Sequence, residues 1–216
     1  MDIWTACQTG NLSWFKEQKA AKKLDTISNS YGIIQATAQY GHLELLKWLV
    51  LDSGQHIDVT DADNAAIRYA AENGHLDIVR WLVEESGQPV DVTACENYAI
   101  RFAAANGHFD IIRWIVKESG QDVNATDGIS CAVRWAALKG NLKIARWLIE
   151  DSGLSADCRD YENWKLSPYR DNDHTLKYLA HIALLQNSLG LTDWKEALET
   201  MKAFSQQPQS TPKFKI

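Results

Sequence analysis

Three histidines, His42, His75 and His108, recur along the chain at a fixed spacing of 33 residues. Imidazole is a common zinc ligand and a general base near neutral pH, so a spaced set of three raises metal or acid–base chemistry first. The spacing itself argues against that chemistry. Residues at one position of successive packed units lie about 10 Å apart, whereas zinc draws its ligands to about 2 Å. His174 and His181, seven apart, can share a helix face yet lie too far apart for one ligand site. Cys95 and Cys131 are the candidate nucleophiles, but no Cys–His–Asp constellation accompanies them, and burial or half-burial is expected for both thiols. Cys7, Cys95, Cys131 and Cys158 form no C-x-x-C pair, which fits a reduced, cytosolic chain without a zinc site. These residues therefore predict a protein that is not an enzyme and holds neither metal nor cofactor.

The balance of residues points the same way. The chain has 216 residues, 45% of them hydrophobic and 23% charged, the profile of a soluble globular protein long enough to bury a core. A net charge of −6 disfavours nucleic acid as partner, because phosphate binding wants a basic field. No stretch of about 18 apolar residues is present, so no membrane span is expected. The start, MDIWTACQTG, lacks a basic residue followed by an apolar run, and no secretory leader is expected. The expected location is the cytoplasm.

The elements that position the histidines are repeated units. Gly41, Gly74, Gly107 and Gly140 lie 33 apart, as do Trp48, Trp81, Trp114 and Trp147, and likewise Gly54, Gly87, Gly120 and Gly153. Three combs in one register exclude coincidence and put a repeat architecture ahead of any other reading. Within one unit, Ile67, Ala70, Ala71 and Gly74 fall at i, i+3, i+4 and i+7, which predicts a first helix with a small-residue face. Asn73-Gly74 breaks that helix, and a second begins near His75 with Leu76, Val79, Leu82 and Val83 apolar. Asp77 and Arg80 are spaced for an exposed i,i+3 pair, and Ser86-Gly87 ends the helix. Val90 and Val92, followed by turn formers, predict an extended connector. The tryptophans are expected to be buried between consecutive second helices, since large aromatics carry much of a core's burial energy.

Helix, turn, helix and connector at period 33, with Gly-His-Leu and Val-Asp or Val-Asn elements, resembles the ankyrin repeat. The resemblance covers roughly residues 1–189 and implies an all-α solenoid of stacked helix-turn-helix units with extended connectors. The first helix departs from the family pattern. The family's T-P-L-H is replaced by Ala65-Ala66-Ile67-Arg68, Tyr98-Ala99-Ile100-Arg101 and Cys131-Ala132-Val133-Arg134. The family's histidine there bonds the neighbouring connector, so Arg68, Arg101 and Arg134 are expected to form an inter-repeat ladder with connector carbonyls or nearby acids, a basic binding stripe on the concave face being the alternative. Such divergent repeats are similar to those of bacterial effector and large-virus ankyrin proteins, which would extend the location to a host cytosol.

The ends read as caps. Residues 1–30 form a shortened first unit whose second helix carries Lys16, Glu17, Gln18 and Lys19, as a terminal face exposed to water requires. Residues 31–162 hold four regular repeats, and residues 163–189 a degenerate one interrupted by Pro168. An extra helix is expected over 190–204, with Trp194, Ala197, Leu198 and Met201 on one side, and a disordered tail over 205–216.

Function must come from residues that differ between copies yet share an exposed face. In the ankyrin family partners meet the connector tips and first helices, a concave surface. Carried onto this chain, that implies Gln39 and Tyr40; Asp61, Asp63, Glu72 and Asn73; Glu96, Ala105 and Asn106; and Asp127, Leu138 and Lys139. Tyr69, Phe102 and Trp135 share one aromatic position beside them and are either packing residues or the row that supplies binding energy. The flanking carboxylates suggest a basic segment as the partner protein's contribution. The expected function is a monomeric, non-catalytic scaffold that binds another protein, an effector acting on host proteins being one form. The alternative is a regulatory or substrate-recruiting module of an enzyme.

Overall fold

In the computed structural model, residues 1–23, 30–123 and 126–154 are described. The expected degenerate repeat at 163–189, the helix at 190–204, the tail at 205–216, and Cys158, His174 and His181 lie outside the described residues. Among the described residues ten α-helices run in pairs: α1 (Ile3–Gln8) with α2 (Leu12–Ala20), α3 (Ser30–Gln39) with α4 (Leu43–Lys47), and α5 (Asp61–Asn73) with α6 (Leu76–Glu84). They are followed by α7 (Ala94–Asn106) with α8 (Phe109–Lys117), and α9 (Thr126–Leu138) with α10 (Leu142–Glu150). No strand occurs among the described residues. First helices stack in a row, α1 on α3, α3 on α5, α5 on α7 and α7 on α9. The protein is the all-α solenoid that the repeat period demands.

The first helices α1, α3, α5 and α7 end on glycine because the next unit occupies the space a side chain would need. Gly74 has φ +88°, and a Cβ built there would lie 2.7 Å from the His108 ring. Gly41 stands in the same relation to His75, and Gly10 to His42, at 2.5 Å. The rings do not wait for a metal. His42 Nε2 lies 2.8 Å from Gln8 O, His75 Nε2 2.9 Å from Gln39 O, and His108 Nε2 3.1 Å from Glu72 O. A carbonyl only accepts, so each Nε2 carries the proton. In the last pair Asn141 replaces the histidine and donates to Ala104 O and Ala105 O, both at 2.9 Å.

The second helices form the tryptophan seam. Trp81 and Trp114 are each 3% exposed and Trp48 is 9% exposed, while Trp147 is half-buried. The preceding unit covers three of them: Phe15 and Lys19 lie against Trp48, Arg80 over Trp114, and Phe109 and Lys117 against Trp147. A serine then closes each helix. Ser53, Ser86, Ser119 and Ser152 bond back through their hydroxyls to the carbonyl four residues earlier. Their amides reach five residues back to the Trp carbonyl, and in the first full repeat this widening becomes a π turn over Trp48–Asp52. Asp77 does not pair with Arg80 as its spacing suggested. Its carboxylate accepts from the Ile78 amide at the helix start, where the helix dipole favours it, and Arg80 pairs with Glu84 at 3.6 Å.

The connectors hold their own ladder. Ile57, Val59, Val90, Val92 and Val123 are buried in the common core. Gln88 accepts from Val59 N and donates to Ile57 O, both at 2.9 Å, and Gln121 does the same to Val92 N and Val90 O. One amide side chain thus satisfies a donor and an acceptor of the preceding connector, as two facing strand residues would.

The arginine ladder expected between repeats is not formed that way. Residues 62–64 and 95–97 take left-handed backbone conformations, with φ between +50° and +59°. Each such non-glycine residue costs about 1–2 kcal/mol, less for asparagine. The arginines are spent inside their own repeat on the carbonyls this turn exposes. Arg68 donates to Asp63 O at 2.9 Å and Ala62 O at 2.8 Å, and Arg101 to Cys95 O at 2.8 Å. Arg134 instead reaches the Cys131 sulfur at 3.3 Å. Contact with the next connector passes to the asparagines: Asn64 Oδ1 accepts from Asp91 N at 2.9 Å, and Asn97 Nδ2 donates to Val123 O at 3.5 Å. The same turn lifts Cys95 to an exposed position, contrary to the burial expected for it, while Cys131 is half-buried and Cys7 buried.

Candidate functional site

The face made by the first helices carries a cleft of about 200 Å³ lined by Glu72, Arg101, Phe102, Ala105, Asn106, Trp135 and Lys139. It spans three repeats, because α5, α7 and α9 stack side by side there. Their small buried residues explain the close approach: Ala70, Ala71, Ala103, Ala104, Ala136 and Ala137 are fully enclosed and let one helix backbone lie near the next. With small residues inward, the larger residues of the same helices stand at the rim.

The cleft is held from its sides. Glu72 O accepts from Asn106 Nδ2 at 2.7 Å as well as from His108. Its carboxylate accepts the Tyr98 hydroxyl at 2.8 Å. Tyr98 stacks on Phe102 with ring centroids 4.0 Å apart and planes 17° apart, lies 6.3 Å from the Tyr69 ring, and has the Arg68 guanidinium 4.9 Å above it. That last contact joins α5 to α7 and is the inter-repeat role Arg68 does have. Burial, then the bond to the Glu72 carboxylate, pushes the Tyr98 phenol well above its ordinary pKa range. The hydroxyl therefore stays protonated and keeps donating.

Of the residues named from sequence, Glu72, Phe102, Asn106, Trp135 and Lys139 come together at this cleft, with Ala105 beside them. Tyr69 joins through Tyr98 instead of lining the cleft. Asp63 and Glu96 are exposed on the left-handed turns at the opposite ends of the first helices, and Asp61, exposed just before the first of these turns, accepts from the Ala62 amide at 2.7 Å. Asn73 is exposed and donates to Tyr69 O. Tyr40 is 44% exposed nearer the N-terminus, where Gln8 Nε2 donates to its hydroxyl at 3.3 Å. The side chains of Asp127 and Leu138 lie outside what is described.

One residue at the site, Tyr98, was legible only as the odd member of a row in which Ala65 and Cys131 are the other two. Arg101, expected in the ladder with a basic stripe on this face as the alternative, lines the cleft with its guanidinium while one nitrogen holds Cys95 O. The arrangement offers stacking surfaces, hydrogen-bond donors and two cations. It has no nucleophile paired with a base, and among the described residues no group of three or more His, Cys, Asp or Glu could hold a metal. No helix among them is long and apolar enough to cross a membrane.

Comparison with known families agrees with this architecture: residues 33–127 match the family model described as ankyrin repeats (3 copies). A comparison with the curated proteins finds no match.

Proposed function

Because residues 33–127 are ankyrin repeats, units that generally mediate protein–protein interaction, we propose that this chain is a non-catalytic scaffold holding a partner protein on its concave, first-helix face. The observation that carries this reading is a division of labour within each repeat. What recurs between copies, the glycine–histidine contact, the tryptophans and the connector glutamines, is used up in joining one unit to the next. What varies, Tyr69, Phe102 and Trp135 with Glu72, Asn106 and Lys139, is half-buried or exposed and clusters at one cleft and its flank. Aromatics that a partner covers fully near the centre of an interface are among the residues that supply most of its energy. Asp61, Asp63 and Glu96 at the turns add a negative field that would speed the approach of a basic segment and weaken with salt. A host-directed effector is one form of this reading, and a regulatory or substrate-recruiting module of an enzyme is the alternative to it, separated by what the captured partner is.

The test is affinity capture of the partner followed by titration of Phe102→Ala, first shown to unfold at the normal temperature. A true anchor loses at least about 2 kcal/mol of binding on truncation, roughly thirtyfold in Kd. Unchanged affinity in both Phe102→Ala and Tyr69→Ala would remove the concave face as the site.

A further inference from the structure

We infer that Asn106, in the lining of the first-helix cleft, is a spontaneous deamidation site that the following repeat holds closed. The chemistry is the same whether or not the cleft takes the partner. Asparagine followed by glycine is the pair most open to it, because glycine carries no side chain to crowd the attacking nitrogen. Two of the first helices end in this pair, Asn73-Gly74 and Asn106-Gly107, and both asparagines are exposed to water. The fold does not demand asparagine there: Tyr40 and Lys139 stand before Gly41 and Gly140 at the same position of the neighbouring repeats. It does demand the glycine, since Gly107 has φ +86° and a Cβ would stand 3.1 Å from Asn141 Oδ1.

The reaction needs only water. The Gly107 amide nitrogen gives its proton to solvent base and attacks Asn106 Cγ; the bond to Nδ2 breaks and ammonia leaves. Water then opens the cyclic imide at either carbonyl, giving aspartate or isoaspartate. The packed helix opposes ring closure. The Gly107 N–H donates to Ala103 O, which turns its nitrogen into the helix. Asn106 Nδ2 donates to Glu72 O of the preceding repeat at 2.7 Å. Asn141 lies over Gly107 from the following repeat and is fixed there by Ala104 O and Ala105 O, both at 2.9 Å. Attack must wait until the last turn of α7 opens, a local event with its own free energy. At Asn73 the guards are other residues: its side chain bonds Tyr69 O in its own helix, and the His108 ring lies over Gly74. Conversion at Asn106 acts on the cleft. The donor to Glu72 O is lost, a carboxylate appears beside that of Glu72, and isoaspartate adds a methylene to the backbone at the end of α7.

The test holds the full chain at body temperature and mildly alkaline pH and follows each Asn-Gly site by proteolysis and mass spectrometry. The same chain unfolded in urea is the reference. Asn106 is expected to convert at least about tenfold more slowly folded than unfolded, as a site reached only through local opening should. Asn141→Ala, checked for cooperative thermal unfolding, should raise the Asn106 rate about threefold to tenfold through its lost hydrogen bonds and leave Asn73 unchanged. Asn141→His, which restores the residue of the other junctions, should keep the slow rate. Should Asn141→Ala fail to fold, His108→Ala reads the same gate one repeat earlier, with Asn73 now the site that gains more. No product at Asn106 in urea, equal rates folded and unfolded, no gain in Asn141→Ala, or equal gains at both asparagines each overturns the proposal. The concave-face reading is judged separately, by partner affinity in Phe102→Ala.

Discussion

The two ends of a first helix treat repetition in opposite ways. At the C-terminal end, Gly10, Gly41, Gly74 and Gly107 each face a side chain from the next unit, a histidine ring three times and Asn141 once, at 2.5 to 3.1 Å from where a Cβ would stand. At the N-terminal end the units diverge: Ala62, Asp63 and Asn64 in one, Cys95, Glu96 and Asn97 in the next, Gly128, Ile129 and Ser130 in the third. The first end is a contact between copies, so a change in either partner is felt by the other. The second end meets its neighbour through Asn64 and Asn97, and in the third unit Gly128 lies so close that a Cβ would stand 2.6 Å from Glu96 O. Asp63, Cys95 and Glu96 face water and leave room for variation. A residue's freedom to specialise here follows from whether another repeat already occupies its surface.

The largest expected effect tests the repeated side of that comparison. Trp114→Ala should destabilise by about 3–5 kcal/mol in denaturant unfolding, because a nearly enclosed indole leaves a cavity under Arg80. A loss below about 1 kcal/mol would mean that the seam collapses easily and the tryptophans are not its structural anchor.

The glycine contact gives the next effect, and a control isolates it. Gly74→Ala must adopt φ +88° and place a methyl 2.7 Å from the His108 ring, for an expected cost of about 2–4 kcal/mol. Gly87 has φ +72° with nothing within 4 Å, so Gly87→Ala should lose only the backbone contribution, about 1–2 kcal/mol. Equal losses in the two variants would show that the histidine yields without cost and the clip is weak.

At the divergent end, Arg101→Ala removes the donor that satisfies Cys95 O and should cost about 1–2 kcal/mol. Arg134→Ala should cost less, since its guanidinium holds only a sulfur at 3.3 Å. Thermal unfolding of the pair orders them directly, and the reverse order would undo the account of the left-handed turns.

The smallest effect is a pH dependence. The Tyr98 phenol has a folded pKa above its ordinary value near 10, so the folded state binds the proton more tightly than the unfolded state. Its stabilising contribution is complete below about pH 10 and declines as pH rises toward the folded pKa. Tyr98→Phe should lose about 1 kcal/mol or less at neutral pH and flatten the decline above pH 10. An identical alkaline slope in both proteins would show that the Glu72 bond does not hold the proton.

Much of this was readable from the residues. The glycine and tryptophan combs carry the repeat, and the spacing of Ile67, Ala70 and Ala71 the first helix with its buried small face. The row Tyr69, Phe102 and Trp135 was legible as a candidate face because identity varies at a fixed position. The left-handed turns were not. Their strain is offset by bonds from Arg68 and Arg101, five and six residues further on, and no local preference of Cys95 or Glu96 announces such a conformation. Tyr98 was hidden for a similar reason, since its partners Arg68, Glu72 and Phe102 come from two helices.

What the sequence alone determined is the unit and its stacking: period, helix pairing, the glycine break, and which face is apolar. These follow from local chain geometry and side-chain periodicity, which repeat whenever the residues do. What only the tertiary structure decided is how each polar side chain is spent. Whether an arginine binds its own turn or its neighbour, and whether Glu72 faces a partner or Tyr98, depends on which acceptor lies within about 3 Å once the helices have packed. Periodicity fixes direction to a helix face, but hydrogen bonds are decided at that finer scale, by residues far apart in the chain.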